Sequence, residues 1–265
     1  MRVGDLEIVP VHDGWARLPA SDMLRFTGTR RDPWLPHEQF LTDDGSLELS
    51  LGGFLVRTGG RVVVIDAGAG RIENDHYHAG QFLDSLRAAG VAPDEVTDVV
   101  FTHLHFDHVG WATQQGSVVF PRATFRCHAA DWDHFVAGPN PEPGSVKKLS
   151  PLADRLEVFG DDSALAPGIT VRHAPGHTPG SAVIVVSDGT ERALLLGDVV
   201  HCPVELLEDE WTMLMDVDPA LARRTREALA RELEGRDVPV AAAHFPGLRF
   251  GRLLAGTGRR RWSFG

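Results

Sequence analysis

Three short apolar runs in this chain end abruptly at a polar side chain. These runs are Val62 to Ile65 before Asp66, Val99 to Thr102 before His103, and Ala193 to Leu196 before Gly197-Asp198. Short apolar runs that are bounded by turn or polar residues are typical of buried strands. The sequence therefore predicts a buried sheet whose strands carry polar side chains at their carboxyl ends.

Further strands and helices are predicted along the whole chain. The other strand candidates are Ser50 to Arg57, Thr124 to Cys127, Ile169 to His173, Ala182 to Val186 and Val238 to Ala243. Helical periodicity is present in Gly80 to Ala89, in Ala129 to Phe135, and in Pro219 to Leu233 with Asp218 as N-cap and Gly235 as stop. Because strands and helices alternate through both halves, we expect a layered α/β architecture in which helices cover the sheets.

The length of 265 residues is sufficient for a large core, so residues 1–265 are expected to form a single domain. Two segments lack a clear pattern. Trp15 to Phe40 lies in an N-terminal extension of residues 1–49, and Asn140 to Ser145 is rich in proline and is predicted to be an extended loop. Each segment either borders the functional site or only connects elements, and the sequence leaves both interpretations open.

Charge and composition limit the kind of partner. The formal net charge of −11 argues against a nucleic-acid partner, which calls for basic patches, and favours a small-molecule substrate. No signal-peptide core and no apolar run of membrane-spanning length is found, so neither export nor membrane insertion is expected. With only Cys127 and Cys202, the cytoplasm is the simplest location, although one disulfide stays open. A homodimer is compatible with the sequence.

The segment from His103 to His108 contains four side chains of the type that bind metal ions. His103 and His105 are separated by one residue, and on an extended loop both imidazoles project from the same side and reach one ion. Asp107 and His108 follow directly and can face a second ion if the chain turns there. Zinc prefers such nitrogen and oxygen ligands, and catalytic zinc sites keep a position open for water. Without a cation, this crowding of buried polar groups is unfavourable.

Three later segments repeat the order of strand, glycine or proline, and ligand-type side chain. They are Pro175 to Gly180 around His177, Leu196 to Asp198, and Ala243 to Pro246 around His244. Taken singly, each is weak evidence, because a lone histidine after a strand is more often a hydrogen-bonded structural residue. Their presence together with the first segment favours a metal site.

With these segments in order, the chain is similar to the metallo-β-lactamase superfamily over about Ser50 to His244. The resemblance implies a four-layer αββα sandwich, with two metal ions at one edge between two similar halves. The implied ligands are His103, His105 and His177 for one ion, Asp107, His108 and His244 for the other, and Asp198 as the bridge.

The same resemblance assigns Asp66 to the support of the metal loop rather than to the metal itself. The complete second ligand set resembles the branch that contains methyl-parathion-hydrolase-like and acyl-homoserine-lactonase-like enzymes. Many relatives have histidine where this chain has Ser181. This departure weakens the assignment to a branch and leaves the ligand set intact.

The hypothesis from these residues is hydrolysis of a small ester-like substrate, namely a lactone, carboxylic ester or phosphotriester, by a hydroxide bridging two divalent ions, expected to be Zn²⁺. Asp107 is expected to be a ligand and a proton shuttle. His201 is expected either to donate a hydrogen bond in the pocket or to orient a ligand. Phe106 and Trp111, which lie beside ligands, are expected to form the pocket wall.

Several alternatives keep the fold and change the chemistry. A β-lactam or thioester hydrolase would use the same ligands. Similar ligand sets hold iron in persulfide dioxygenases and flavo-di-iron proteins, so redox chemistry stays open. A nuclease is disfavoured by the acidic charge, and a binding module without catalysis is disfavoured by the open ligand set.

Overall fold

The computed structural model describes residues 1–265, and β-strands make up much of the chain. In chain order the strands are β1 (Arg2–Val3), β2 (Leu6–Pro19), β3 (Leu24–Phe26), β4 (Ser46–Thr58), β5 (Arg61–Ile65), β6 (Ile72–Glu73), β7 (Tyr77–Ala79), β8 (Asp98–Val100), β9 (Thr113–Gln114), β10 (Ser117–Val118), β11 (Thr124–His128), β12 (Leu156–Phe159), β13 (Ser163–Ala166), β14 (Ile169–His173), β15 (Ala182–Asp188), β16 (Glu191–Leu195), β17 (Trp211–Met213), β18 (Val240–Ala241), β19 (Gly251–Leu254) and β20 (Arg261–Phe264).

The helices are mostly short. The α-helices are α1 (Ala20–Met23), α2 (Phe82–Ala88), α3 (Phe106–Val109), α4 (Ala129–Trp132), α5 (Pro143–Leu149), α6 (Val204–Leu207) and α7 (Pro219–Leu233). Short 3₁₀-helices are found at Leu35–Phe40, Pro93–Glu95, Ser150–Arg155 and Pro246–Leu248, and a π-helical turn at Asp133–Ala137. None of these helices has both the length and the apolar character needed to cross a bilayer.

Two large sheets form the centre of the molecule. The first has the order β12-β11-β8-β5-β4-β2-β7-β6 with β1 beside β2, and the second has the order β13-β14-β15-β16-β18-β19-β20. Successive side chains of a strand point to opposite faces of its sheet. In β5, Val63 and Ile65 accordingly join the apolar core between the two sheets, whereas Val64 packs towards the outer helices.

Each sheet is covered by helices on its outer face. Phe82 and Leu86 of α2 pack in the core outside the first sheet, and Leu229 and Leu233 of α7 pack in the core outside the second. The order of layers is helix, sheet, sheet, helix, which confirms the predicted αββα sandwich. Both free cysteines, Cys127 and Cys202, are buried.

The parallel strand pairs explain why the polar side chains meet. β5 is parallel to β8, and β16 is parallel to β18. The carboxyl ends of parallel neighbours lie at the same edge of a sheet, so the residues that follow these strands converge there. The two sheets are joined at this edge by the amide of Ala182, which donates to the carbonyl of Thr102 at 2.9 Å.

Two predictions about irregular segments are revised. The predicted extended loop from Asn140 to Ser145 is wrong from Pro143 onwards, where α5 begins with proline in its first turn. The Glu142 carboxylate accepts from the amides of Gly144 and Ser145, so it caps this helix. The N-terminal extension of residues 1–49 contains β2, a strand of 14 residues, whose Ala16 and Leu18 reach the functional site.

Candidate metal centre

The loops after β8 and β14 carry the first group of histidines. Nε2 of His103 lies 2.9 Å from Nδ1 of His105, and that Nδ1 lies 3.1 Å from Nε2 of His177. Ligand atoms at 2.0–2.1 Å from a tetrahedral zinc ion are separated by about 3.3 Å. The three imidazole nitrogens therefore lie at the spacing of a ligand set for one ion.

A second group lies beside the first. Nε2 of His244 is 3.5 Å from Oδ2 of Asp107, and Nε2 of His108 is 3.9 Å from Oδ1 of Asp107. One nitrogen or oxygen atom from each of these residues lies within 4.8 Å of the others. His108 and His244 are buried, whereas the Asp107 side chain is partly accessible.

Asp198 lies between the two groups. Its Oδ2 is 3.6 Å from Nε2 of both His103 and His177 and 3.1 Å from Nε2 of His244. Its Oδ1 is 3.2 Å from Nε2 of His108. One carboxylate thus contacts histidines of both groups, which is the arrangement of a bridging ligand.

The position of Asp198 depends on the glycine before it. Gly197 has a φ of 52°, and a Cβ at this position would lie 2.6 Å from the Thr102 hydroxyl oxygen. A side chain at residue 197 would therefore separate the loop after β16 from the loop after β8. The glycine brings the carboxylate of Asp198 to the first metal loop.

Outer hydrogen-bond partners fix the orientation of three of the imidazoles. Nδ1 of His108 faces Asp66 Oδ2 at 2.9 Å, Nδ1 of His177 faces Asp216 Oδ1 at 3.2 Å, and Nδ1 of His244 faces the Ser50 carbonyl at 2.9 Å. Each of these oxygens is an acceptor, so the proton of the neutral ring lies on Nδ1. The lone pairs on Nε2 therefore converge on the centre, as in metal-binding histidines.

The donor set fits two cations. Nε2 of His108 and Oδ1 of Asp198 are buried polar atoms without a hydrogen-bond partner. Such atoms are costly to bury unless they are compensated. A bound cation compensates both at once, and imidazole and carboxylate ligands suit Zn²⁺.

The electrostatics differ between the two groups. Burial, together with repulsion from neighbouring imidazoles, lowers the pKa of His103 well below its usual value and that of His105 to about 4. Burial acts in the same direction on His108 and His244, but nearby carboxylates outweigh it, raising the pKa of His108 well above its usual value and that of His244 to about 9. The first group is thus neutral at pH 7, whereas protons compete with metal ions for the second.

Residues 53–244 match the Metallo-beta-lactamase superfamily. The chain belongs to this superfamily. The match spans both halves of the sandwich and ends at His244, the last residue of the second histidine group.

Among curated relatives of this superfamily member is the N-acyl homoserine lactonase AiiA of Bacillus thuringiensis subsp. kurstaki, which is 22% identical over 213 residues, covering 72% of this chain and 81% of AiiA. The human Metallo-beta-lactamase domain-containing protein 1 is 33% identical over 169 residues, covering 63% of this chain and 54% of that protein.

Solved structures show the same fold. The dizinc quorum-quenching lactonase AidC, in complex with a product N-hexanoyl-L-homoserine, superposes with a TM-score of 0.82 at 23% identity over 99% of this chain and 95% of AidC. The hydrolase AbOPH, described as a beta lactamase superfamily member, superposes with a TM-score of 0.85 at 25% identity over the same shares of the two chains.

The superfamily site in this chain contains one further histidine. Nε2 of His201 lies 3.2 Å from Oδ2 of Asp198, and its ring stacks on that of His244 with centroids 5.5 Å apart. Asp198, His201 and His244 form a third group whose ligand-type atoms lie within 4.8 Å of one another. The structure thus brings His201 together with the predicted ligands.

A cavity of about 290 Å³ opens onto the site. Its polar floor includes Asp107, Asp198 and His201, and its wall is apolar. The wall residues are Ala16, Leu18, Met23, Leu49, Leu51, Tyr77, Phe106, Met213 and Met215. A larger cavity of about 810 Å³ lies between the segments 36–39 and 255–262 and contains none of the clustered ligand-type residues, so the smaller one is the candidate substrate cavity.

The two predicted wall residues have different positions. Phe106 is 45% exposed and lines the cavity, where its ring meets Tyr77 edge to face. The prediction for Trp111 is wrong, because this side chain is fully buried in the core outside the first sheet. Its indole Nε1 donates to Asp13 Oδ1 at 2.9 Å, since the chain turns inwards after α3.

Two buried carboxylates that the sequence did not indicate hold loops at or near the site. Asp131 accepts from the amides of Leu104 and Gly180 and from the hydroxyl of Thr178, so it connects the loops that carry His103 and His177. Asp13 accepts from the amides of Ala69, Gly70, Gly80 and Phe82. Neither aspartate belongs to a ligand-like motif, so no sequence signal distinguished them.

A separate cluster of His128, Asp161 and His173 also has ligand-type atoms within 4.8 Å of one another. Its geometry does not suit a metal ion. The two imidazole rings are stacked, with centroids 4.2 Å apart and planes 10° apart. Because the lone pairs of parallel stacked rings lie in separate planes, both rings cannot ligate one ion.

Proposed function

We propose that this chain is a two-metal hydrolase that opens neutral lactones with an apolar acyl group. The observation that carries the proposal is the apolar cavity above the converging histidines and Asp198. The names of relatives support the substrate class, since AiiA is an N-acyl homoserine lactonase and AidC a dizinc quorum-quenching lactonase.

The proposed ligands are the two groups described above. His103, His105 and His177 hold one ion, Asp107, His108 and His244 hold the other, and Asp198 contacts both. When bound, two divalent ions, expected to be Zn²⁺, supply an activated water at neutral pH and a positive charge for the substrate oxygen. Asp66 supports the second ion by holding Nδ1 of His108.

The cavity suits an uncharged substrate. No lysine or arginine lines it, and its charged side chains are Asp22, Asp107 and Asp198. An anionic group of a substrate that lies beside Asp22 would have no lysine or arginine of the cavity to pair with it. Neutral lactones, carboxylic esters and phosphotriesters avoid this cost in every orientation, whereas a β-lactam carboxylate avoids it only beside the metal ions.

Asp107 is the proposed proton carrier. Its side chain lines the cavity and is partly accessible, unlike that of Asp198, which is buried. A carboxylate at this position accepts the proton of the attacking water and donates it to the leaving oxygen. His201 lines the same cavity, with Nε2 towards Asp198, and is proposed to restrain that carboxylate through a hydrogen bond.

The test is a substrate panel combined with a ligand variant. We expect turnover of N-acyl lactones with aliphatic acyl groups and weaker turnover of aryl esters, phosphotriesters and thioesters. His103→Ala/His105→Ala should abolish turnover while the far-ultraviolet circular dichroism is retained. Full activity in this double variant after metal loading contradicts the proposal. Preferential turnover of phosphotriesters or thioesters would show that the proposed substrate class is wrong. An iron content with a coloured absorption spectrum would point to redox chemistry instead.

A further inference from the structure

A buried ion-pair cluster lies directly behind the proposed metal centre. It consists of Glu205, Asp216 and Arg226, each of which is less than one-tenth exposed. The Arg226 guanidinium donates to both oxygens of Asp216 at 2.8 and 2.7 Å, and its Nε lies 3.0 Å from Oε1 of Glu205. We call these three residues the Arg226 cluster.

One end of the Arg226 cluster contacts a proposed ligand. Oδ1 of Asp216 lies 3.2 Å from Nδ1 of His177, and the same oxygen accepts from Arg226. Next to it, the amide of Val217 donates to the carbonyl of His177 at 3.0 Å. The histidine is therefore held through its ring and its backbone by the segment that precedes α7.

The other end holds the loop that follows Asp198. Arg226 Nε donates to the carbonyl of Val199 at 2.8 Å. Oε2 of Glu205 accepts from the amides of His201 and Cys202 at 2.6 and 3.0 Å. Arg226 thus joins the loop that follows Asp198 to Asp216, the hydrogen-bond partner of His177.

Arg226 occupies a position where the helix pattern calls for an apolar residue. The other buried residues of α7 are Ala222, Leu229, Ala230 and Leu233. Well-packed apolar residues often replace a buried ion pair without loss of stability. Overall stability is therefore a weak explanation for an arginine at this position. The contacts of Arg226 with Asp216 and with the loop after Asp198 explain it better.

The fork of a guanidinium is needed for these contacts. Arg226 donates to both oxygens of Asp216 through one terminal nitrogen and to the Val199 carbonyl through Nε, which also lies beside the charge of Glu205. A lysine ammonium is a single point charge and cannot span these partners in one plane. Fixing the carboxylate that holds Nδ1 of a ligand histidine raises the basicity of that ligand and its affinity for metal.

We propose that Arg226 is a positioning residue of the metal centre, which fixes His177 through Asp216 and the His201 loop through Glu205. It thereby sets the affinity for the ion held by His103, His105 and His177. This inference rests on the proposed two-metal function. Arg226 touches neither the metal nor the substrate in this account, and acts only through these neighbours.

The test measures metal affinity rather than turnover. Purified full-length protein is loaded with Co²⁺ and titrated with a competing chelator while the ligand-field absorption spectrum is followed. We expect Arg226→Lys and Asp216→Asn each to lower the affinity for the ion held by His103, His105 and His177 by about 10- to 100-fold. The absorption spectrum of the Co²⁺ ion at that position should also change. Arg223→Lys, on the exposed face of the same helix, is the matched control and should leave both affinities unchanged.

The outcomes separate this inference from the proposed function. If the unmodified protein binds two ions and folded Arg226→Lys and Asp216→Asn retain both affinities, the role of Arg226 is wrong while the metal centre stands. If the unmodified protein does not bind two ions, the proposed function itself fails. If either single variant does not fold, the double variant Arg226→Gln/Asp216→Asn, which removes both charges together, is titrated in the same way. Unchanged affinities in this double variant contradict the role of Arg226.

Discussion

Oδ2 of Asp66 lies 2.9 Å from Nδ1 of His108, while Nε2 of the same ring lies 3.2 Å from Oδ1 of Asp198. Asp66 has a φ of 58°, an uncommon conformation for a residue other than glycine. It also accepts from the amide and hydroxyl of Thr102. The conformation of Asp66 at the end of β5 therefore places its carboxylate where it accepts a hydrogen bond from Nδ1 of His108.

Replacing this carboxylate should weaken the metal centre. In Asp66→Asn, the amide can present a donor towards Nδ1 of His108, which disturbs the orientation and tautomer of the ring. We expect a loss of metal affinity of about 10- to 100-fold, measured by chelator competition. Asp43→Asn, at an exposed position, is the control. Unchanged affinity in Asp66→Asn would show that the carboxylate does not support the ligand.

Phe106 should affect substrate binding more than folding. Its side chain is 45% exposed in the cavity wall, so Phe106→Ala removes apolar contact with the acyl group. We expect KM for long-chain lactones to rise by about 3- to 10-fold, because the lost contact supplies part of the free energy of burying a large apolar side chain. The change in KM should be smaller for short-chain lactones. The free energy of unfolding should change by less than about 0.5 kcal/mol.

Leu35→Ala is the control for Phe106→Ala, because Leu35 is 62% exposed and does not line the cavity. An equal rise in KM for both variants, or no dependence on acyl length, would contradict the assigned position of the acyl group.

Trp111 should behave in the opposite way. Trp111→Phe removes the indole donor to Asp13 and leaves a smaller ring in a fully buried position. We expect the free energy of unfolding to fall by about 1–3 kcal/mol, measured by urea denaturation, while KM stays unchanged. A raised KM at an unchanged free energy of unfolding would contradict the core position of Trp111 and support the sequence prediction that it lines the pocket.

Asp98 should make the fold sensitive to acid. The side chain is buried against the guanidinium groups of Arg61 and Arg126. Burial raises its pKa, but the Thr97 hydroxyl and these two arginines outweigh this effect, so the pKa lies below its usual value. A lowered pKa means that the stabilisation is present above the unfolded pKa of about 3.9 and is lost as the pH falls through the folded pKa.

Melting temperatures from pH 7 to pH 2 test this sign. The difference between the unmodified protein and Asp98→Asn should be constant above about pH 5 and shrink below pH 4 as the carboxyl group is protonated. Asp154→Asn, at an exposed position, should show no such trend. A difference that grows towards low pH would contradict the ion-pair account of Asp98.

The sequence predicted elements well where a local pattern matches the final environment. The bounds of α7, Pro219–Leu233, agree with its proline in the first turn and its Asp218 cap, whose carboxylate accepts from Leu221. β14 also has the predicted bounds, Ile169–His173. By contrast, the strand predicted from Val238 to Ala243 is limited to Val240–Ala241, and the chain turns at Ala243 and His244.

The site was predictable only in part. Ligand-type residues follow strands in recognisable segments, so the sequence indicated the residues that the structure brings together. Asp216 contacts His177 from a distant position in the chain, and Asp131 and Arg226 act through residues next to the ligand-type side chains. Their roles depend on tertiary contacts, and the one local sign was a charged residue, Arg226, on the buried stripe of α7. Trp111 was misplaced because adjacency in sequence does not fix the direction in which a side chain points.

The central claim is that one chain holds two metal ions between the two histidine groups. The most direct test is the metal content of zinc-loaded protein after gel filtration, determined by elemental analysis against protein concentration. The account predicts two zinc ions per chain, and the loss of both in Asp198→Ala, since this carboxylate contacts both groups. One ion or none per chain in fully active unmodified protein would contradict it.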